Sequence, residues 1–266
     1  ITWANCPGCN ANSVGQYIHS CLLLLEKEKG YDLSKTTVGL VGVGHVGHAV
    51  IEAIRPLGVQ ILLNDPPQKE ALCKAGKPHE FFLNMEELQE KCDIISFHTP
   101  LITKGSYPTF HLANKTFFNA LKKRPIIINT SRGAVVDNTD VLQALKDGII
   151  RDAIIDTWEN EPNINQELLN LIYIGTPHIA GYSADGKANA TRMALTALCN
   201  HFHLQATFQI RVPQLPEEEL PSPNLTEKER ALALYNPHTD SLKLKSHPTM
   251  FEELRGNYPL RREFIE

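Results

Sequence analysis

The fold is decided by residues 36–47, TTVGLVGVGHVG. The first half is a short apolar run rich in strand-forming residues, and the second half is a glycine turn of the form G-x-G-x-x-G. A helical pattern follows and ends at Gly58, after which residues 59–63 form a second apolar run. A strand, a glycine turn, a helix and a second strand within about 30 residues predict a βαβ unit that binds a dinucleotide.

Each glycine of this turn has a predicted task. Gly42 permits the tight turn, Gly44 lets the backbone approach a pyrophosphate, and Gly47 lets the helix pack closely on the strand. The N–H groups of His45 and Val46 at the start of the helix would then face the phosphates. The helix dipole favours negative charge at the same place.

Asp65 follows the second strand, 18 residues after Gly47. A carboxylate at this position accepts hydrogen bonds from both hydroxyls of the adenine ribose. The same negative charge repels a 2′-phosphate. The sequence therefore predicts that the cofactor is NAD rather than NADP.

The alternation of strands and helices continues beyond the glycine turn. A first helix is expected from Asn10 to Gly30, capped by Asn10, Asn12 or Ser13, and a long helix is expected over residues 184–203. The remaining predicted helices span residues 85–91, 114–121 and 138–148, and the remaining predicted strands span residues 93–97, 125–129, 152–156 and 171–174. Because these strands are rich in Ile and Val, we expect them to be buried on both faces. We predict an α/β fold with a doubly wound parallel sheet of Rossmann type.

Composition narrows the class of protein. The chain has 266 residues, a formal net charge of −4 and 42% hydrophobic residues, so it can bury a sizeable core and has no basic excess for a nucleic-acid groove. No apolar run approaches the roughly 20 residues needed to cross a bilayer. The six cysteines are scattered, which predicts a reduced, cytoplasmic protein. The single C-x-x-C, residues 6–9, lacks the second pair that a metal site needs, and no metal is expected.

Polar side chains follow the predicted strands at their carboxyl ends, where open α/β sheets bind ligands. They are Thr99, Arg132, Asp156 with Glu161, and His178. The planar guanidinium of Arg132 can hold a carboxylate through two parallel hydrogen bonds. The imidazole of His178 can move a proton near neutral pH, and the Glu161 carboxylate can orient that imidazole and stabilise its charged form.

Four segments resemble one known family. They are residues 42–47, 129–137 (NTSRGAVVD), 156–162 (DTWENEP) and 175–181 (GTPHIAG), and they are similar to the D-isomer-specific 2-hydroxyacid dehydrogenases. The resemblance implies NAD as cofactor and a reaction in which hydride passes between the nicotinamide and C2 of a 2-hydroxy acid.

The resemblance also implies roles for individual residues. Arg132 matches the arginine that holds the substrate carboxylate, His178 matches the general acid/base that contacts the substrate, and Glu161 matches its partner. Tyr182 matches a substrate contact. Besides the glycine turn and Asp65, the resemblance assigns these residues to the cofactor: Thr99, Thr130, Ser131, Arg132, Asp156 (near the nicotinamide) and Gly181.

Further segments narrow the resemblance within the family. They are residues 7–11, 65–67, 97–101 and 179–183, together with residues 257–263 of the tail. They are similar to the members that oxidise 4-phospho-D-erythronate to the 2-oxo acid in pyridoxal 5′-phosphate (vitamin B6) biosynthesis. The resemblance implies a small phosphorylated hydroxy acid as substrate and a homodimer as the assembly.

The same resemblance divides the chain into segments. Residues 1–30 match a remnant of a flavodoxin-like substrate domain and an interdomain helix, residues 31–183 the NAD-binding domain, residues 184–206 a returning interdomain helix, and residues 207–266 part of a C-terminal dimerisation domain. In the family, a substrate-domain half precedes the loop that begins at Cys6, whereas here five residues do. We expect an N-terminally truncated chain with an incomplete substrate pocket and an exposed front face on the first helix.

Two alternatives remain open. The chain could belong to a related dehydrogenase with another substrate, of the 3-phosphoglycerate or glyoxylate/hydroxypyruvate type. It could also be a non-catalytic NAD-binding fragment, because a fold does not fix a function. The presence of Arg132, Glu161 and His178 argues against the non-catalytic alternative, whereas the missing front segment favours it.

Overall fold

The protein is built around one six-stranded parallel sheet. The computed structural model describes residues 2–263; residue 1 and residues 264–266, which belong to the first and last predicted segments, lie outside the described residues. The strands, β1 to β6, are Thr37–Val41, Gln60–Asn64, Ile94–Phe97, Ile126–Asn129, Asp152–Ile155 and Ile174–Gly175. Their spatial order is β2-β1-β3-β4-β5-β6, with every neighbouring pair parallel. The predicted doubly wound parallel sheet is confirmed.

Helices cover both faces of this sheet. In chain order, α1 to α11 are Ala11–Lys29, His45–Ile54, Pro66–Lys74, Met85–Lys91, Lys115–Ala120, Asn138–Lys146, Gln166–Leu171, Ala184–Phe202, Glu227–Leu234, Pro237–Ser246 and Phe251–Gly256. Successive strand residues enter opposite cores, because side chains alternate along a strand. Ile126 and Ile128 pack beneath α1 and α2, whereas Ile127 packs beneath α4 to α7.

The order of the strands creates a cleft. β1 lies between β2 and β3, so the chain must cross back over β1 after β2 is complete. The loops that follow β1 and β3 leave the sheet side by side, and the amide of His98 donates to the Val41 carbonyl at 2.7 Å. In doubly wound sheets, ligands bind at this switch point.

The helix α1 is more enclosed than the sequence suggests. Its four leucines, Leu22 to Leu25, are at most 1% exposed, and each contributes about 1.5–3 kcal/mol by burial. The expectation of an exposed front face is wrong, since Ser13, Gln16 and Tyr17 are buried as well. Residues 261–263 of the tail cover this end of the helix.

Several local expectations need correction. Asn10 precedes α1 but makes no capping hydrogen bond, because its side chain packs against Gly181 instead. The segment after Asp65, for which no helix was predicted, forms α3, with proline at its start and the Asp65 side chain as its cap. Residues 171–174 were predicted as a strand. Leu171 instead ends α7, and the strand β6 begins only at Ile174 and has two residues.

The tail carries more helix than its weak periodicity predicts. Three helices, α9 to α11, follow residues 213–223, a stretch with four prolines. They are short, and few of their residues are buried, so their pattern in the sequence is faint. Within residues 2–263, no helix is both long and apolar enough to cross a membrane.

Candidate active site

The glycine turn has the backbone that its sequence predicts. Gly42 has φ +92°, and a Cβ there would lie 2.8 Å from the carbonyl oxygen of His98. A Cβ on Gly47 would overlap the Gly42 carbonyl oxygen, so the helix can approach the strand only with glycine at this position. Gly44 caps α2 without a side chain, and the space above it is open. The first N–H groups of α2, at His45 and Val46, are therefore available to an anion.

A cleft of about 640 Å³ opens beside this turn. Gly42, Gly44, Asp65 and Thr99 line it, together with the segment from Pro100 to Thr109. The hydroxyl of Thr99 is buried there and has no hydrogen-bond partner among the described residues. The cleft is mostly apolar, has open space above Gly44 and contains the unpartnered hydroxyl of Thr99. These features fit a dinucleotide, whose phosphates and ribose can supply hydrogen-bond partners.

Asp65 has a structural task besides the predicted one. Its Oδ2 accepts from the Val43 amide at 2.8 Å and from Gln68 Nε2 at 2.9 Å, and its Oδ1 accepts from the Gln68 amide at 3.0 Å. The carboxylate thus ties the glycine turn to α3. One of its roughly four acceptor positions, on Oδ1, remains for a ribose hydroxyl.

Arg132 lies in the loop after β4. Asn129, at the end of that strand, is fully buried and donates to the Arg132 carbonyl at 3.0 Å while accepting from the amide and the hydroxyl of Ser131. The guanidinium of Arg132 is exposed and contacts no carboxylate within residues 2–263. Nη1 of Arg132 donates to the Ser131 carbonyl at 2.6 Å, so Nε and Nη2 remain available for an anionic ligand.

His178 and Glu161 form the pair that the sequence predicts. His178 Nδ1 lies 2.9 Å from Glu161 Oε2, and Oε1 of the same carboxylate accepts from the Trp158 amide at 2.8 Å. Burial alone would raise the pKa of the Glu161 carboxyl, but the hydrogen bonds from His178 and Trp158 and the charges of His178 and Arg255 lower it. Glu161 is thus a carboxylate at neutral pH, and it places the proton of a neutral His178 on Nδ1 and leaves Nε2 free.

Asp156 lies beneath His178 and is 1% exposed. Its carboxylate accepts from the Thr176 hydroxyl at 2.6 Å and from the amides of Ile179 and Ala180 at 2.8 and 3.0 Å. Burial raises the pKa of this carboxyl, while the charge of His178 and these three donors oppose the rise. The structure gives Asp156 the task of holding the turn after β6; the contact with nicotinamide stays a prediction.

The other predicted cofactor residues are enclosed near the same edge. Thr130 Oγ1 lies 3.3 Å from Nδ1 of His98, and His98 Nε2 lies 2.9 Å from Ser96 Oγ. Burial lowers the pKa of His98 to about 3, so the ring is neutral and links β3 to the loop after β4. His98 and Asn129 were not predicted as site residues, although each lies at the carboxyl end of a strand, the same position that pointed to Thr99 and Arg132.

Tyr182 lies four residues after His178, between two cations. Arg255 Nε donates to the Tyr182 hydroxyl at 3.1 Å, and Lys187 Nζ lies 5.2 Å from the centre of the ring. Gly181 packs directly against the Asn10 side chain. Arg255 could not be predicted from sequence as a neighbour of Tyr182, because it lies 73 residues away, in the tail helix α11.

More than half of the chain matches one known family. Residues 22–180 match the family described as D-isomer specific 2-hydroxyacid dehydrogenase, NAD binding domain. The chain belongs to the D-isomer specific 2-hydroxyacid dehydrogenase family, and its cofactor is NAD.

Similarity to individual relatives extends over nearly the whole chain. An erythronate-4-phosphate dehydrogenase from Bacteroides fragilis is 52% identical over 263 residues, which are 99% of this chain and 74% of the relative. An erythronate-4-phosphate dehydrogenase from Escherichia coli O157:H7 is 38% identical over 273 residues, covering 99% of this chain and 71% of the relative. The NAD-dependent formate dehydrogenase from Staphylococcus aureus, solved in complex with NAD, shares the fold with 22% identity and a TM-score of 0.61, covering 76% of this chain and 65% of that one.

Proposed function

We propose that this protein oxidises 4-phospho-D-erythronate at C2 with NAD, giving the 2-oxo acid, as a step of vitamin B6 biosynthesis. The observation that carries the proposal is the pairing of His178 with Glu161 at 2.9 Å, at the same sheet edge as Arg132, which contacts no carboxylate in the described part of the chain. The names of the relatives support the choice of substrate.

In the proposed reaction, Arg132 binds the C1 carboxylate and fixes the orientation of C2. Nε2 of His178 removes the proton of the C2 hydroxyl. Glu161 accepts a hydrogen bond from Nδ1 and stabilises the imidazolium that forms, as a buried carboxylate does for a catalytic histidine. NAD, when bound, supplies the acceptor for the hydride that leaves C2. Gly42, Gly44 and the start of α2 would hold its pyrophosphate.

A phosphate on the substrate is supported by the charges around Tyr182. Lys187 and Arg255 flank this ring, and neither forms an ion pair with a carboxylate in the described part of the chain. Arg255 is also close enough to Glu161 to lower the pKa of its carboxyl. A dianion bound beside Tyr182 would pair with these two side chains.

The test is the appearance of NADH when the purified chain is mixed with NAD and 4-phospho-D-erythronate. We expect turnover with this substrate, and we expect 3-phosphoglycerate and hydroxypyruvate (with NADH) to react more slowly. His178→Ala is the control, which should bind NADH without turnover. NADH binding without turnover of any substrate in the unmodified chain would refute the proposed activity and favour a non-catalytic NAD-binding protein.

We also propose that the protein is a cytoplasmic homodimer. Apolar side chains at and just after the end of α8 support the dimer. Leu198, Phe202 and Leu204 lie within seven residues of one another and are 49–60% exposed, and exposed apolar patches mark interaction surfaces. Six cysteines without disulfides fit a reducing compartment. Light scattering of the purified chain tests the dimer; a monomer mass at high concentration would refute it.

A further inference from the structure

The end of the described chain returns to the catalytic turn. Arg261 is 4% exposed, and an arginine buried to this extent needs hydrogen-bond partners. Its Nη1 donates to the Ile179 carbonyl and its Nη2 to the Ala180 carbonyl, both at 3.1 Å. The guanidinium also donates to Gln16 Oε1 at 2.9 Å and to the Ser13 carbonyl.

The same two residues are held from the opposite side by Asp156. Its carboxylate accepts from the amides of Ile179 and Ala180, while Arg261 donates to their carbonyls. The peptide units that follow His178 therefore lie between a buried anion and a buried cation. Charge-assisted hydrogen bonds of this kind are about twice as strong as neutral ones.

Asp156 and Arg261 together hold the turn that follows His178, a residue whose backbone conformation is unfavourable. His178 has φ +56°, in the left-handed region, which is unfavourable for an L-residue with a side chain. Such a conformation persists only where the surroundings hold it. From this backbone, the ring of His178 reaches Glu161 Oε2 with Nδ1 at 2.9 Å.

We infer that Arg261 is a positioning residue for the acid/base His178. It holds the carbonyls of Ile179 and Ala180 so that the imidazole keeps its contact with Glu161. The inference rests on the proposed role of His178, and it assigns to the tail a task in catalysis besides covering α1.

Arg262 supplies a matched control. It is the next residue in the same tail and binds Asp185 through two bonds, Nε to Oδ2 at 2.9 Å and Nη2 to Oδ1 at 3.2 Å. It also donates to Gln214 Oε1. Neither these bonds nor the one from its Nη1 to the Pro213 carbonyl involves residues 176–180. Arg262→Met therefore loosens the tail without touching the catalytic turn directly.

The experiment compares Arg261→Lys, which keeps the charge, with Arg262→Met. Because a small misplacement of a catalytic group can cost about 100-fold in rate, we expect Arg261→Lys to lower kcat by about 10- to 100-fold. The KM for the hydroxy acid and the Kd for NADH should stay unchanged. Gln16→Ala, which removes one acceptor of Arg261 and keeps the guanidinium, should lower kcat less and in the same sense. Arg262→Met should leave kcat near its original value.

A second measurement does not depend on turnover. The imidazole N–H of His178, bonded to Glu161, should give a protected proton resonance in the unmodified chain and in Arg262→Met, and a weaker one in Arg261→Lys. An unchanged resonance and kcat in Arg261→Lys would overturn the inference. Equal losses in Arg261→Lys and Arg262→Met would also overturn it, because tail docking alone would then explain them. Absence of turnover in every protein, with the resonance behaving as expected, would refute the proposed substrate and leave the positioning role supported.

Discussion

Gly133 and Trp158 are in backbone contact. A Cβ on Gly133 would overlap the carbonyl oxygen of Trp158, so the loop after β4 lies directly on the loop after β5. The first loop carries Arg132. The second carries Glu161, whose carboxylate accepts a hydrogen bond from the Trp158 amide. This contact brings Arg132 and Glu161, which we propose to bind the substrate carboxylate and to support the acid/base histidine, to one edge of the sheet.

Gly133→Ala should therefore damage the site and the fold together. Overpacking against rigid backbone costs about 1–3 kcal/mol or more, and we expect a lower melting temperature and loss of turnover. Gly256→Ala is the control, since a Cβ there meets nothing within 4 Å. Thermal unfolding of both variants checks the prediction, which fails if they melt together.

Glu161→Gln should reduce kcat by about 100-fold, within the range of one general acid/base interaction. The glutamine side chain has one oxygen, which can accept from either His178 Nδ1 or the Trp158 backbone N–H. Its NH₂ group then faces the other donor and cannot accept a hydrogen bond from it. Glu167→Gln, an exposed residue, is the control. Retention of full kcat by Glu161→Gln would contradict the assigned role.

Acid should weaken the same pair. The pKa of Glu161 is lowered in the folded chain, so its contribution to stability is present above the unfolded pKa and is lost as pH falls through the folded pKa. We expect the acid side of the unfolding free energy curve to be shallower in Glu161→Gln. Parallel curves for the two proteins would show that Glu161 does not contribute.

His98 should make the fold sensitive to acid over a wider range. Its pKa is lowered by burial from 6.5 to about 3, so between these values the unfolded chain binds a proton that the folded chain does not. Stability is complete above 6.5 and falls with decreasing pH by up to about 1.4 kcal/mol per pH unit. His98→Gln should flatten this slope, and exposed His201→Gln should not; denaturant titrations from pH 7 to pH 4 measure both.

Asp65→Ala should weaken NADH binding and reduce the preference for NADH over NADPH, because the charge that repels a 2′-phosphate is gone. The variant also frees the Val43 amide, so Gln68→Ala, which removes one partner of Asp65 and keeps the carboxylate, is the matched control. Fluorescence titration with both cofactors gives the result. If the two variants lose NADH affinity equally with unchanged preference, Asp65 serves only the glycine turn.

Arg255→Met should raise the KM for the phosphorylated substrate by about tenfold, the value of one charge-assisted hydrogen bond. Erythronate without its phosphate should react equally with both proteins. Arg230→Met, in which an exposed arginine that bonds only backbone carbonyls is removed, is the control. An equal rise in KM for both substrates would place Arg255 away from the phosphate.

The sequence shows the βαβ unit around residues 36–47 clearly because local rules specify each part. An apolar strand, a turn that only glycine can form at Gly42 and a helix stop at Gly58 need no distant partner. Helix α3 was missed because proline at the start of a helix and proline in a turn look alike in sequence. The tail helices were missed because their partners are distant in sequence: α9 and α10 contact α1, and Lys228 of α9 pairs with Glu26 across 202 residues.

The sequence by itself determined the parallel sheet, the glycine turn and the residue types Arg132, Glu161 and His178 that can carry out the chemistry. The tertiary structure decided that His178 and Glu161 meet at 2.9 Å, that Asp65 already holds the glycine turn, and that Arg255 and Arg261 reach the site from the tail. The physical reason is range: periodicity and turn chemistry act over a few residues, whereas a hydrogen bond between residues 180 and 261 exists only after the whole core has packed.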